Sequence, residues 1–176
     1  MKRQKALPSM IVVFAVVGTL CIALAAEGTG WKPYAETAFF TFHYDADDIR
    51  YPSKRLDLNR VKVVKGYILG VWTKRVPRGE EGRERQIEEY KKSGLSTKGY
   101  ERYAHTVAME EINCREKTFR VISETDFDKE GNKLGAFVQE PSRVRWKPIL
   151  PESDHDELFT VLCKELPSKM VEVQEK

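Results

Sequence analysis

Few residues of this chain have the types and spacing that chemistry requires: Cys21, Cys114 and Cys163, the histidines His43, His105 and His155, and the acidic run Asp126-x-Asp128-x-Glu130-Gly131. Histidines make a recognisable metal motif when two of them share a turn or a helix face. Here they stand in three separate segments, so neither a metal site nor a catalytic role is expected of them. The acidic run starts like a calcium loop, with oxygen donors at alternate positions and a glycine at the sharp turn. Its twelfth position is Phe137, where such a loop needs a bidentate carboxylate. A charged β-turn accounts for the same residues without a metal. No glycine-rich phosphate loop and no G-x-S-x-G elbow occurs. No catalytic, cofactor-binding or metal-binding residue is therefore assigned, and the chain reads as non-enzymatic.

What the cysteines do depends on compartment. Lys2, Arg3 and Lys5 precede an apolar run from Met10 to Ala26 that closes on Ala23-Leu24-Ala25-Ala26. Basic, then apolar, then small residues is the order of a secretory signal peptide, so residues 1–26 are read as a cleaved leader and 27–176 as one domain. The competing reading is a retained anchor, although this run of 17 residues falls short of the ~20 a spanning helix needs. A lipidated Cys21 is a third reading, disfavoured by Leu20 directly before it. With Cys21 gone, Cys114 and Cys163 remain in a compartment that permits oxidation and are expected to form a disulfide; two free buried thiols are the alternative. Removing the leader's three basic residues from 30 leaves 27 cations against 27 anions. A neutral domain lacks the positive field that nucleic-acid backbones or anionic lipid reward.

The elements that must position these residues are mostly β. Ala38–Tyr44 is aromatic and β-prone, and Val61–Val76 is a longer β-rich stretch in which a bulge or turn is expected at Lys65-Gly66. Tyr100–Cys114 reads as a strand with Tyr103, Val107 and Met109 on one parity and Ile112 and Cys114 on the other, a switch that suggests a bulge near Glu110-Glu111. Thr118–Phe127 alternates, which places Phe119, Val121, Ser123, Thr125 and Phe127 on one face. Asp128–Asn132 is a hairpin turn, and Leu134–Val138 the return strand. Trp146–Pro151 is held extended by its prolines. Ser153 then caps a helix whose stripe of Leu158, Phe159, Leu162, Cys163 and Leu166 must lie on the sheet, and the tail after Pro167 frays. The expected fold is α+β, an antiparallel sheet of about five or six strands with the C-terminal helix on one face, tethered by the Cys114–Cys163 disulfide.

Between these strands, Pro77–Gly94 is charged, with Ile87 and Tyr90 as its apolar points, so any helix there has a thin adhesive face and is expected to be solvated. Its basic residues and those just before it, Lys74, Arg75, Arg78, Arg83, Arg85, Lys91 and Lys92, outnumber five glutamates. A solvated charged loop explains them; if the domain grips an acidic protein or polysaccharide, these residues with Tyr90, Tyr100 and Tyr103, read as exposed aromatics, are the first candidates.

The order of motifs resembles the surface-adhesin protein E family of small exported bacterial proteins. The residues carrying the resemblance are Tyr44-Asp45 with Ile49, then Val71-Trp72-Thr73-Lys74, the run Ile112–Arg120 around Cys114, Asp126–Asn132, Trp146-Lys147-Pro148-Ile149, Pro151, Ser153 and Cys163. The resemblance implies an antiparallel sheet crossed by a disulfide-tied C-terminal helix, an arrangement often found as a homodimer in that family. It also implies an adhesin that binds host matrix proteins such as vitronectin and laminin. On that basis the expected function is an exported, non-enzymatic binding protein acting through protein contacts in the periplasm or at the surface of a Gram-negative bacterium. An envelope assembly protein using its sheet edges, and a small-ligand carrier with a pocket between helix and sheet, are the alternatives.

Overall fold

Runs of β-branched and aromatic residues, punctuated by Gly, Asp and Asn, become strands separated by tight turns. The computed structural model describes residues 30–51, 54–55 and 68–166. The expected leader, the turn at Lys65-Gly66 and the tail after Pro167 lie outside the described residues. In chain order the elements are β1 (Trp31–Glu36), β2 (Phe40–Asp45), β3 (Arg50–Tyr51), β4 (Lys54–Arg55), β5 (Ile68–Pro77), α1 (Gly79–Lys92), β6 (Tyr103–Asn113), β7 (Thr118–Asp128), β8 (Lys133–Val138), β9 (Lys147–Pro148) and α2 (Asp154–Phe159), which continues into a π-helical turn over Thr160–Glu165. A 3₁₀ turn, Tyr100–Arg102, leads into β6.

The sheet is antiparallel, in the order β1-β2-β5-β6-β7-β8, with β3 pairing with β4 and β5 and β9 pairing with β7. The expected first strand is thus the second, because Trp31–Glu36 already pairs with it. The β7–β8 hairpin is held by Asp128, whose Oδ1 accepts from Glu130 N at 3.0 Å and Asn132 N at 2.7 Å. Gly131 supplies the positive φ of 83° that the turn requires.

Both helices lie on one face of the sheet. Ser153 Oγ accepts from Asp156 N at 3.2 Å, so the expected cap forms, and three acidic residues, Asp154, Asp156 and Glu157, occupy the positive end of the helix dipole. The stripe of α2 and its π turn then packs Leu158, Phe159 and Leu162 onto Tyr44, Ile49, Val71 and Ile112. Each such side chain, fully buried, contributes roughly 1.5–3 kcal/mol. Cys114, in the β6–β7 turn, and Cys163 are joined across a Cα–Cα distance of 5.6 Å, which ties the helix to the sheet as expected.

Two bulges correct the strand parities expected from the sequence. In β7 the register skips Ile122, between the pairs Met109↔Ser123 and Glu110↔Val121. The bulge near Glu110 is therefore present, but its extra residue belongs to the partner strand. Its consequence is that Phe119 and Val121 share the helix-bearing face with Glu124, Asp126 and Asp128, while Ser123, Thr125 and Phe127 turn to the other side. In β6 the register skips Ala104, which brings Tyr103 to the face of Thr106, Ala108, Glu110 and Ile112 rather than that of Val107 and Met109.

A second correction concerns α1. The segment expected to be solvated is a 14-residue helix docked on the sheet, with Gln86 buried and Gly82 lying directly against the Phe39 carbonyl. Among the described residues no helix is long and apolar enough to cross a membrane.

Candidate functional site

On the helix-bearing face, between α2 and the Arg75–Glu124 pair that α1 contacts through Tyr90, lies a cleft of about 250 Å³. Its floor comes from Thr73 on β5, Ala108 on β6 and Val121 on β7, and Tyr34, Phe42 and Phe119 add aromatic surface. The bulge at Ile122 decides the character of this site. Along β7 it puts apolar side chains toward α2 and carboxylates toward α1.

At the α2 wall, Glu110 is buried, and a carboxylate out of water must be matched. It is matched on both oxygens. Thr73 Oγ1 donates to Oε1 at 2.6 Å, and His155 Nε2 stands 3.0 Å from Oε2. The other ring nitrogen of His155 meets Asp154 Oδ1 at 3.2 Å, and its ring stacks on Phe119 at 3.6 Å between centroids. Burial alone would lower the imidazole pKa, but the bonds to Asp154 and Glu110 outweigh it and hold the pKa at about 9. His155 is therefore a cation at neutral pH, bridging two carboxylates. Burial works against ionising Asp154 as well, yet the His155 bond keeps its carboxyl below the usual range. The Tyr34 hydroxyl, buried near this pair, has its pKa pushed well up by burial and then by Glu110 and Asp154.

At the α1 wall, Arg75 reaches in from β5 over the ring of Phe40, with Nη2 3.7 Å from Glu124 Oε1. Burial opposes its charge, and Tyr103 and Glu124 more than restore it. Glu124 also accepts from Tyr90 Oη at 3.1 Å, but burial is the largest influence on it and raises its pKa. Beside it Asp126 is a hub: Oδ2 accepts from Tyr90 and Tyr100, both at 2.7 Å, and Oδ1 from Thr106 at 2.6 Å. Burial and these carboxylates raise the pKa values of Tyr90 and Tyr100, so both remain neutral donors. This network fastens α1 and the 3₁₀ turn to the sheet.

The residues singled out in the sequence scatter over this geometry. Tyr100 and Tyr103, expected as exposed aromatics, are 3% and 1% exposed, because the hydroxyls of both serve the Asp126 network. Arg75 and Lys74 both border the cleft, but the Lys74 ammonium lies over the ring of Trp31 on the opposite sheet face. Arg78, Arg83, Arg85, Lys91 and Lys92 remain on or beside α1. There Arg83 pairs with Glu80, Arg85 with Glu89, Lys92 with Glu88 and Arg78 with Glu36, so the surface alternates in sign. The three histidines do not converge. His105 stacks on Phe127, and burial lowers the pKa values of both His43 and His105. Asp126 and Asp128 are committed to hydroxyls and to their own turn, and among the described residues no cluster of His, Cys, Asp or Glu could hold a metal ion. Sequence reasoning missed Glu110 and Glu124 as site residues and read Asp126 only as the first position of a charged turn that begins like a calcium loop. A signal was there: acidic residues at alternate positions in a strand-forming run share one sheet face and need partners on it.

The motif order, the disulfide and the capped helix can be set beside known proteins. Comparison with curated proteins and with solved structures returned no match. The model of one family, surface-adhesin protein E, matches residues 31–164, which run from the first strand of the sheet to the residue after the bridged Cys163. The chain thus belongs to the surface-adhesin protein E family.

Proposed function

We propose that this protein is an exported, non-enzymatic adhesin, released from a leader over residues 1–26 and acting through protein contacts at the cell surface or in the periplasm of a Gram-negative bacterium. The observation that carries this reading is the family match over nearly all the described residues, together with a disulfide-clamped fold suited to an oxidising compartment. Of the surfaces available, α1 fits a contact role best. It is held rigidly from beneath by Tyr90 and Gln86, and it presents Arg78, Arg83, Arg85, Lys91 and Lys92 interleaved with glutamates. A rigid surface of alternating charge selects partners by complementarity more than by net attraction. The partner class is an extracellular-matrix or envelope protein.

The test has two arms. Intact cells are probed with antibody against the folded domain, and the purified mature protein is passed over immobilised matrix proteins with and without the charge reversals Arg85→Glu and Lys91→Glu on exposed positions of α1. Adhesion predicts surface labelling, and matrix binding that weakens at least tenfold in the double variant and falls with added salt. Absence of both labelling and matrix binding would remove the adhesin reading, and co-purification with an envelope complex would replace it with an assembly role.

A further inference from the structure

The two walls of the cleft differ in how completely their charges are satisfied. On the α2 side both oxygens of Glu110 and both ring nitrogens of His155 have partners. On the α1 side matters are incomplete. Tyr103 supports the Arg75 guanidinium through a side-chain hydrogen bond, yet Arg75 Nε is buried without a hydrogen-bond partner and its Nη2 lies 3.7 Å from Glu124 Oε1, beyond hydrogen-bond length. The contacts of Glu124 run through Oε1, to Tyr90 and loosely to Arg75, and burial raises its carboxyl pKa, as expected of an anion short of compensation. A donor and an acceptor of opposite charge thus stand side by side, each with capacity left, at the end of a cleft whose floor and flank include Ala108, Val121, Phe42 and Phe119, with Lys74 and Lys147 at its border.

The guest that fits carries both charges on adjacent atoms and an apolar group behind them. A simple carboxylate would satisfy Arg75 but face Glu124, and a simple amine would do the reverse; like charge brought this close in a desolvated site is repelled. Size narrows the choice further, because a cleft of about 250 Å³ lies below the range of pockets that hold drug-sized ligands. It has room for one residue, not for a peptide.

We propose that the cleft binds a free α-amino acid with an apolar or aromatic side chain. The carboxylate is held by the Arg75 guanidinium, the ammonium by Glu124, and the side chain lies on Ala108 against Phe42 and Phe119. The site is separate from the outer surface of α1 and does not depend on the adhesin reading.

The experiment is isothermal titration calorimetry and thermal-shift measurement on the disulfide-intact mature chain. The probes are L-phenylalanine, L-leucine and L-methionine, with 3-phenylpropionate and phenethylamine as analogues lacking one charge. At least one amino acid is expected to bind and raise the Tm, with each single-charge analogue at least tenfold weaker. Arg75→Gln and Glu124→Gln are each expected to weaken binding at least tenfold. Ala108→Leu, which fills the floor and leaves both charges in place, is expected to abolish it. The proposal is overturned if none of the amino acids binds the wild-type chain, if the analogues bind as well, or if binding survives Ala108→Leu. Should Arg75→Gln fail to fold, Glu124→Gln and Ala108→Leu decide the matter, and unchanged affinity in either refutes it.

Discussion

Raising the pH from 6.5 to 9.5 should loosen the attachment of α2 through a single proton. His155 is 20% exposed in its side chain and stands between Glu110 Oε2 and Asp154 Oδ1, with Phe119 against its ring. Its pKa in the folded chain is about 9, against 6.5 for a free imidazole. A group whose pKa is raised by folding contributes stability that is complete below its unfolded value and disappears as the pH climbs through its folded one. The difference between about 9 and 6.5, at ~1.4 kcal/mol per pH unit, corresponds to roughly 3–4 kcal/mol, nearly all of it present at pH 6 and almost gone above about pH 9. Urea unfolding of the disulfide-intact protein at half-unit steps from pH 6 to 9.5 measures this, and the range stops short of pH 10, where the unfolded chain's tyrosines ionise and those raised in the fold, such as Tyr34, add their own loss of stability. His155→Gln should lose a comparable amount at pH 6 and lack the decline between about pH 7 and 9, keeping only the rise up to about pH 7 that the lowered pKa values of His43 and His105 give both proteins. Parallel profiles for wild type and His155→Gln would refute the reasoning, since the proton would then sit elsewhere.

Two further expectations concern the frame around the cleft. Replacing both bridged cysteines, Cys114→Ser with Cys163→Ser, removes the closure of a 49-residue separation and should cost about 4 kcal/mol in urea unfolding, with α2 losing its far-UV helical signal before the sheet. Gly82→Ala, which in an exposed helix would stabilise by about 1 kcal/mol, should here destabilise by about 1–3 kcal/mol in the same assay, because the new methyl would overlap the Phe39 carbonyl.

Much of the frame was legible in the sequence because it rests on local rules. Ser153 and the acidic first turn of α2 form a cap wherever a helix follows, and the stripe through Leu158 and Leu162 can be satisfied only on an apolar face. Cys163 lies on that stripe, so its bridge to Cys114 came with it. The cleft was harder to foresee. The two bulges follow from pairing between strands, and one skipped residue at Ile122 reverses every assignment downstream of it. The burial of Glu110, Asp126 and Thr73 contradicts what their side chains prefer in isolation, and it becomes tolerable only once Thr106, Tyr90, Tyr100 and His155 arrive from other elements. The same holds for α1, whose composition promises a solvated helix and whose anchor is the pair of acids on β7 that receive the Tyr90 hydroxyl.

All three tryptophans of the chain stand on the side of the sheet away from the helices. Trp31 and Trp72 share it through β1, β2 and β5, and Trp146 joins it beside β7, with Lys74, Arg50 and Arg120 over the respective rings. The intrinsic fluorescence of the protein is therefore a reporter of one surface. A partner seated on α1, or a guest in the cleft, should leave the emission maximum where it is, while anything that docks on the far side of the sheet should shift it. One optical measurement on the unlabelled chain thus distinguishes which side of the molecule is in use.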